Sequence, residues 1–177
     1  REKYLNDIRR RFPSNRMITD KMPQNFRYIS LLVAAFPEAK IIHVKRKPAA
    51  VCWANYKQYF GSRHLRYCYD LNDIVHYYHL YLNLMDFWKT HYFDQIYDVE
   101  YERLTINQEN ETRKLIDHIG IAWDEKCLFP HRNNRVVTTA SSIQVRKKIY
   151  QGSSEEWKKY KEFLGGRFDI FDQERKK

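Results

Sequence analysis

The sequence predicts an α/β fold in which helices flank a parallel β-sheet. Short apolar runs such as 41–44 alternate along the chain with longer stretches whose apolar residues recur every three or four positions. This alternation of strand and helix patterns is typical of parallel sheets. The chain has 177 residues, of which 43% are hydrophobic, and this is enough for one domain with a real core. We therefore expect residues 1–177 to form a single domain.

The charge of the chain limits the kinds of partner it suits. Lys and Arg number 32 against 22 Asp and Glu, which gives a formal net charge of +10. Such a charge favours polyanionic partners, but by itself it does not separate a nucleotide from nucleic acid or from an acidic polymer. A nucleic-acid-binding domain is the weaker alternative, because no RNA- or DNA-binding motif is recognisable.

The cysteines and the lengths of the apolar runs indicate the cellular compartment in which the protein is expected. Three cysteines without a C-x-x-C pair leave an odd thiol, so we expect a reducing compartment such as the cytoplasm. The sequence has no run of about 18 apolar residues, and we expect no transmembrane segment. Because the chain begins at Arg1 without a Met, we expect it to be incomplete at its N-terminus.

The first third of the chain is predicted to form a β-α-β unit. Apolar residues at helical spacing predict a helix in the first dozen residues that ends near Pro13. Residues 16–20 are a short strand candidate. A helix from about residue 25 to 36 follows, and the buried strand 41–44 comes next.

Three consecutive cations, residues 45–47, end this strand, and Pro48 then opens a helix that we expect to reach about Tyr59. Ligands of open α/β sheets lie beyond the carboxyl ends of strands, where a helix N-terminus adds its positive pole. An arginine suits a phosphate or sulfate there, because its planar guanidinium holds two oxygens at once. A right-handed crossover would bring Lys21 to the same sheet edge as Arg46. The alternative is a solvated basic turn.

The middle of the chain is predicted to contain a basic loop, the longest helix and a third strand. The loop covers residues 61–69, and Asp70 is the candidate N-cap of a long amphipathic helix. His76 and His79 are three residues apart on this helix, but without a third ligand nearby we expect no metal there. The third strand candidate is 94–101.

The C-terminal third is predicted to contain two more helices. One runs from about Gln108 and ends at Gly120, and the other starts with a capping box formed by Ser153 and Glu156. We expect irregular structure from 123 to 135. The hydroxyl-rich residues 138–142, followed by the cations 146–148, have the composition of an anion site and equally that of a surface loop.

Several ordered motifs resemble the sulfotransferase superfamily. They are Asp-Lys-Met-Pro-x-Asn-Phe at 20–26, Phe-Pro-x-Ala-Lys-Ile-Ile-His-Val-x-Arg-x-Pro at 36–48, Tyr-Asp-Leu at 69–71, Tyr-Glu-x-Leu at 101–104 and Thr-Ala-Ser-Ser-x-Gln-Val-Arg at 139–146. The chain is most similar to the bacterial domains found with tetratricopeptide repeats, and tyrosylprotein sulfotransferases are more distant kin. The resemblance implies a P-loop-like parallel sheet, of which this chain would be the C-terminal portion.

The resemblance also implies an activity and the residues that carry it. A sulfuryl group would pass from 3′-phosphoadenosine 5′-phosphosulfate (PAPS) to a hydroxyl or amine of a carbohydrate, phenol or peptide, without a metal. By resemblance, Arg46 binds the 3′-phosphate and Tyr101 belongs to the donor pocket. Lys21 and Ser142 match residues near the transferring group and the phosphates, so we expect both in catalysis. We expect Ser142 and Arg146 to bind the donor as well.

The chain departs from the family pattern in three respects. The glycine-rich loop for the 5′-phosphosulfate, and with it the usual general base, would lie before Arg1. Ala50 and Ala54 replace an expected aspartate and serine, and Glu156 replaces a cation. Glu156 could be turned away into the capping box, or the cations 146–148 could supply the lost charge. We expect this chain alone to be inactive, and a nucleotide-binding relative that has lost catalysis is the alternative.

Overall fold

The computed structural model of the chain describes residues 1–13, 17–133 and 144–173. The two strands β1 and β2 pair in a small parallel sheet, and helices make up most of the remaining regular structure, so the predicted α/β fold is confirmed. The helices and strands of the described residues are α1 (Glu2–Arg11), α2 (Ile29–Ala35), β1 (Ile41–Lys45), α3 (Pro48–Tyr56), α4 (Leu71–Tyr92), β2 (Ile96–Glu100), α5 (Tyr101–Ile106), α6 (Gln108–Ile119) and α7 (Ile170–Gln173).

Short 3-10 helical segments lie between these elements. They replace part of the loop predicted at 61–69 and part of the irregular structure predicted at 123–135. Six occur in the described residues: Pro23–Tyr28, Arg63–Tyr69, Glu125–Leu128, Pro130–Arg132, Gln144–Arg146 and Glu156–Leu164.

The residues cluster into two compact units, Arg1–Ile41 with Tyr81–Ile96, and Ile42–Leu80 with Tyr97–Lys177. In the first unit, Ile29, Met85 and Ile96 are buried together. The indole nitrogen of Trp88 donates to the carbonyl of Phe26 at 2.7 Å, which ties α4 to the segment before α2. The apolar face predicted for the long helix therefore does form core.

The strand predicted at residues 16–20 is wrong as far as the structure describes it. Residues 17–20 belong to no helix or strand, and Met17 and Ile18 are 53% and 40% exposed. A strand needs a neighbouring strand for its backbone hydrogen bonds. Among the described residues, only β1 and β2 form such a pair. The side chain of Asp20 accepts a hydrogen bond from the Tyr4 hydroxyl at 2.7 Å instead.

The second unit has its own core, formed by the start of α4 and the C-terminal segment. Asp70 caps α4 as predicted, because its carboxylate accepts from the backbone N–H groups of Asn72 and Asp73 at 2.7 and 3.0 Å. The buried ring of Tyr78 meets Phe171 edge-on with centroids 5.4 Å apart. Trp157 meets Phe168 in the same way at 5.9 Å, so the segment from Trp157 to Phe171 contributes to this core.

Two predicted boundaries in the second unit shift slightly. β2 ends at Glu100, because Tyr101 already begins α5. Helix α3 ends at Tyr56 instead of Tyr59. Helix α6 ends at Ile119, and Gly120 is its C-cap as predicted, where a positive φ of 81° favours glycine. No helix in the described parts of the chain combines the length and apolar character that crossing a membrane requires.

Candidate anion-binding site

The candidate site lies in the second unit, where β1 passes into α3. β1 ends at Lys45 and α3 begins at Pro48, so Arg46 and Lys47 form the whole connection. Proline suits the first helical position because its missing N–H would have no helical partner there. The turn is therefore short, and it holds both cations half-buried beside the positive pole of α3.

Contacts on two sides orient the guanidinium of Arg46. Its Nε donates to the hydroxyl of Ser154 at 3.0 Å. Its Cζ lies 4.9 Å from the centroid of the Tyr101 ring, within the range of a cation–π contact. The Tyr101 hydroxyl in turn lies 3.0 Å from the hydroxyl of Ser153. The structure thus brings together Arg46 and Tyr101, two of the residues predicted for the donor pocket.

Glu102 connects Ser154 to the turn between β1 and α3. Its Oε1 accepts from the Ser154 hydroxyl at 2.6 Å and from the backbone N–H of Lys47 at 3.0 Å. Burial raises the pKa of the Glu102 carboxyl, but the hydrogen bonds from Ser154 and Lys47 lower it more, so the pKa is below its ordinary value. Glu102 therefore stays ionised at neutral pH and acts only as an acceptor.

The neighbouring lysines have carboxylate partners. Lys45 lies 3.4 Å from Asp98, Lys47 pairs with Glu155, and Lys57 lies 2.7 Å from Glu156. Within the described residues, Arg46 forms no ion pair with a carboxylate, and its one hydrogen bond uses Nε. Its two terminal nitrogens are thus available as donors to an anion.

The predicted capping box is wrong. Ser153 bonds to the hydroxyl of Tyr101, and Glu156 forms its ion pair with Lys57, so neither side chain caps the segment Glu156–Leu164. Contacts with distant partners replace the local ones, because the segment packs against α3. The rings of Trp53 and Tyr160 stack across this contact with centroids 4.6 Å apart. The side chain of Glu156 is directed to Lys57 and takes no part in a capping box.

The carboxylates of this segment are stabilised in their charged form. Hydrogen bonds from Lys158 and Lys47 hold the pKa of Glu155 below its ordinary value. The hydrogen bond from Lys57 does the same for the pKa of Glu156. Each carboxylate is therefore partly neutralised by lysine, which reduces the repulsion that an anion at Arg46 would meet.

The remaining predicted site residues are Lys21, Arg146 and Ser142. Lys21 belongs to the first unit and is exposed in the irregular segment before Pro23. Its grouping with Arg46 stays a prediction. Arg146 is exposed and donates to the carbonyl of Asn133. Ser142 and the rest of the hydroxyl-rich stretch 138–142 lie outside the described residues. In the described parts of the chain, no group of three or more His, Cys, Asp or Glu could hold a metal ion.

Sequence reasoning missed Ser154, Glu102 and the backbone N–H of Lys47. Ser154 is separated by 108 residues from Arg46 and by 52 from Glu102. A local pattern carries no signal at such distances. The one sequence signal that could have indicated Glu102 is its position in the Tyr-Glu-x-Leu motif, directly after Tyr101.

Comparisons with known proteins place the chain in a family. The sulfotransferase family matches residues 1–125, a range that includes Arg46 and Tyr101. An uncharacterized protein of Aquifex aeolicus (strain VF5) is 35% identical over 176 residues, which is 98% of this chain and 23% of that protein. The chain thus spans less than a quarter of the length of this relative. On the match over residues 1–125, the chain belongs to the sulfotransferase family.

Proposed function

We propose that the chain binds the nucleotide donor PAPS, with the Arg46 guanidinium on the 3′-phosphate, and serves sulfuryl transfer to a hydroxyl or amine acceptor. The observation that carries the proposal is the state of Arg46. It is half-buried and oriented by Ser154 and Tyr101, and within the described residues no carboxylate forms an ion pair with it. Family membership supports the sulfuryl chemistry in general.

The residue type and its position suit a phosphate group. The terminal nitrogens of a guanidinium can donate to two oxygens of one phosphate, which a lysine at the same place cannot reproduce. The start of α3 is adjacent in the chain, and the positive pole of the helix favours an anion there. Because Arg46 is half-buried, its attraction to a phosphate is less screened than that of an exposed surface arginine.

The remaining predicted residues have roles that follow from the same chemistry. The donor supplies the sulfuryl group, which moves to the acceptor oxygen or nitrogen as the bond to the 5′-phosphate breaks. We propose that Lys21 stabilises charge on the transferring group. Ser142 and Arg146 are proposed to contact the phosphates. Tyr101 is proposed to bind the donor through the face or edge of its ring, next to Arg46.

Calorimetric titration tests the donor site. We expect 3′-phosphoadenosine 5′-phosphate to bind saturably and more tightly than adenosine 5′-phosphate. Arg46→Ala should weaken binding of the bisphosphate by about 1.5–3 kcal/mol, the range for a charged hydrogen bond, and should leave adenosine 5′-phosphate almost unaffected.

The matched control is Arg66→Ala, which removes the same charge from an exposed residue of the segment Arg63–Tyr69. It should change binding of both nucleotides by less than about 0.5 kcal/mol, since exposed charges are screened by salt. Equal losses in the two variants, with a steep dependence on salt, would point to non-specific attraction to a basic surface and would overturn the proposal.

A further inference from the structure

We infer that Glu102 and Ser154 are positioning residues for nucleotide binding: the Glu102 carboxylate fixes the Ser154 hydroxyl, and this hydroxyl fixes the Arg46 guanidinium toward the 3′-phosphate. The inference deepens the proposed function and rests on it. The two residues are not predicted to touch the nucleotide, so their effect on binding would pass through Arg46.

The directions of the hydrogen bonds define the order in which Glu102, Ser154 and Arg46 are connected. The Ser154 hydroxyl has one proton, which it gives to Glu102 Oε1 at 2.6 Å. Its lone pairs are then free to accept from Arg46 Nε at 3.0 Å. Ser154 is 5% exposed, so water competes poorly for either bond. Both bonds have one charged partner, which makes them stronger than hydrogen bonds between neutral groups.

Glu102 is held on its other side by the turn that carries Arg46. The same Oε1 accepts from the backbone N–H of Lys47, the next residue in the chain after Arg46. The carboxylate therefore ties the turn and the segment containing Ser154 together. Because Glu102 is bonded to both Lys47 and Ser154, it restricts the orientation that Ser154 imposes on the Arg46 guanidinium.

The serine also keeps the carboxylate and the guanidinium apart. Within the described residues, Arg46 and Glu102 form no direct ion pair. A direct bidentate pair would occupy the terminal nitrogens of Arg46 and neutralise it. With the hydroxyl in between, Glu102 orients Arg46 and leaves those nitrogens available to an anion.

The sign of one mutational effect separates positioning from simple electrostatics. A carboxylate that acted only as a nearby negative charge would repel the 3′-phosphate, so its removal would strengthen binding. A carboxylate that positions Arg46 has the opposite effect, and its removal weakens binding. A purely structural role would weaken binding of both nucleotides to the same degree.

The experiment measures a discrimination ratio, the Kd of adenosine 5′-phosphate divided by the Kd of 3′-phosphoadenosine 5′-phosphate. We expect this ratio to fall about tenfold in Glu102→Ala and in Ser154→Ala, the effect of a lost charged hydrogen bond. Glu102→Gln keeps an oxygen that can accept from Ser154 and Lys47, and it should stay within about threefold of the wild type. Glu109→Ala, which removes an exposed carboxylate of α6, is the control for charge and should leave the ratio unchanged.

Each outcome decides between the two proposals. If the wild-type chain does not prefer the bisphosphate, the proposed function fails and this inference fails with it. If the wild-type chain prefers the bisphosphate and Ser154→Ala has the same discrimination ratio, the inference is overturned and the proposed function stands. A higher ratio in Glu102→Ala overturns it too, because the carboxylate would then act by repulsion. Should Glu102→Ala not fold, Ser154→Ala and Glu102→Gln still carry the test.

A readout without nucleotide makes the test independent of binding. The Nε–H of Arg46 should give a protected NMR signal in the wild type, because it is hydrogen-bonded to a buried hydroxyl. In Ser154→Ala this signal should shift and exchange faster with water, whereas in Glu102→Gln it should persist. An unchanged signal in Ser154→Ala would contradict the geometry on which the inference depends.

Discussion

The guanidinium of Arg46 depends on residues that differ in kind. Tyr101 supplies an aromatic face, Ser154 a lone pair, and Glu102 the charge that orients the serine. Each contact contributes little compared with the whole fold, since a hydrogen bond to a charged group contributes about 1.5–3 kcal/mol and a cation–π contact about 0.5–1 kcal/mol. Together they reduce the conformational freedom of the Arg46 side chain before an anion binds. Pre-ordering of this kind lowers the entropic cost of binding.

Burial decides the reactivity of the cysteines. Cys52 and Cys68 are each 1% exposed, and burial raises the pKa of the Cys52 thiol to about 12, with the nearby Cys68 adding to the effect. At pH 8 only about one Cys52 thiol in ten thousand is then ionised. We expect a thiol reagent to label Cys127, which is half-buried, well before either of the other two.

Mass spectrometry after timed labelling checks this expectation. Cys52 and Cys68 should become labelled at the rate of Cys127 only in denaturant, where all three thiols are accessible. Fast labelling of Cys52 in the folded chain would show that α3 opens readily, and would weaken the description of Arg46 as held by a fixed turn.

At the scale of elements, four consecutive residues fasten the C-terminal segment to the site. Residues 153–156 contact Tyr101, Arg46, Lys47 and Lys57 in turn. The ion pairs among these contacts are exposed by a third or more, so each contributes at most about 1 kcal/mol. The buried ring of Trp157, which follows directly, should therefore provide most of the stabilisation.

Trp157→Ala should destabilise the second unit by about 3–5 kcal/mol, because truncation of a buried aromatic leaves a cavity beside Phe168. Phe163→Ala is the matched control from the same segment. Phe163 is 81% exposed, so its loss should change the free energy of unfolding by less than about 0.5 kcal/mol. Urea unfolding followed by circular dichroism measures both. Similar effects of the two substitutions would show that the segment is not anchored through Trp157.

Elements defined by nearby residues were predictable from the sequence, and pairings between distant residues were not. The strand before Arg46, the helix opened by Pro48 and the cap at Asp70 follow from residues a few positions apart. The strand at 16–20 and the capping box at Ser153 were wrong because local patterns do not reveal the availability of a partner strand or of Tyr101. For the same reason, the sequence indicated Arg46 and Tyr101 but not Ser154 between Arg46 and Glu102.

For the whole molecule, the net charge of +10 and the paired carboxylates around the site act in opposite directions. Excess positive charge destabilises a compact state through self-repulsion, and it grows as carboxylates gain protons. Glu102, Glu155 and Glu156 offset this repulsion locally as long as they are ionised. The stability of the chain should therefore depend on pH in a direction that these three residues set.

The pKa values of Glu102, Glu155 and Glu156 are all lowered in the folded chain. A group with a lowered folded pKa contributes stability that is fully present above its unfolded pKa and is lost as the pH falls through the folded pKa. With a reference value of 4.5 for glutamate, we expect the melting temperature to be nearly constant from about pH 8 to 5.5 and to fall below about pH 4.5. Differential scanning calorimetry across this range measures it.

Glu102→Gln isolates the contribution of Glu102, the most buried of these carboxylates, to the pH dependence of stability. The variant cannot lose a charge at that position, so its melting temperature should fall less steeply between about pH 4.5 and 3 than that of the wild type. An identical acid profile would mean that Glu102 does not gain stability from its ionised form. A melting temperature that rises on acidification would reverse the sign for all three residues, and would imply that repulsion among these carboxylates outweighs their bonds to Ser154 and the lysines.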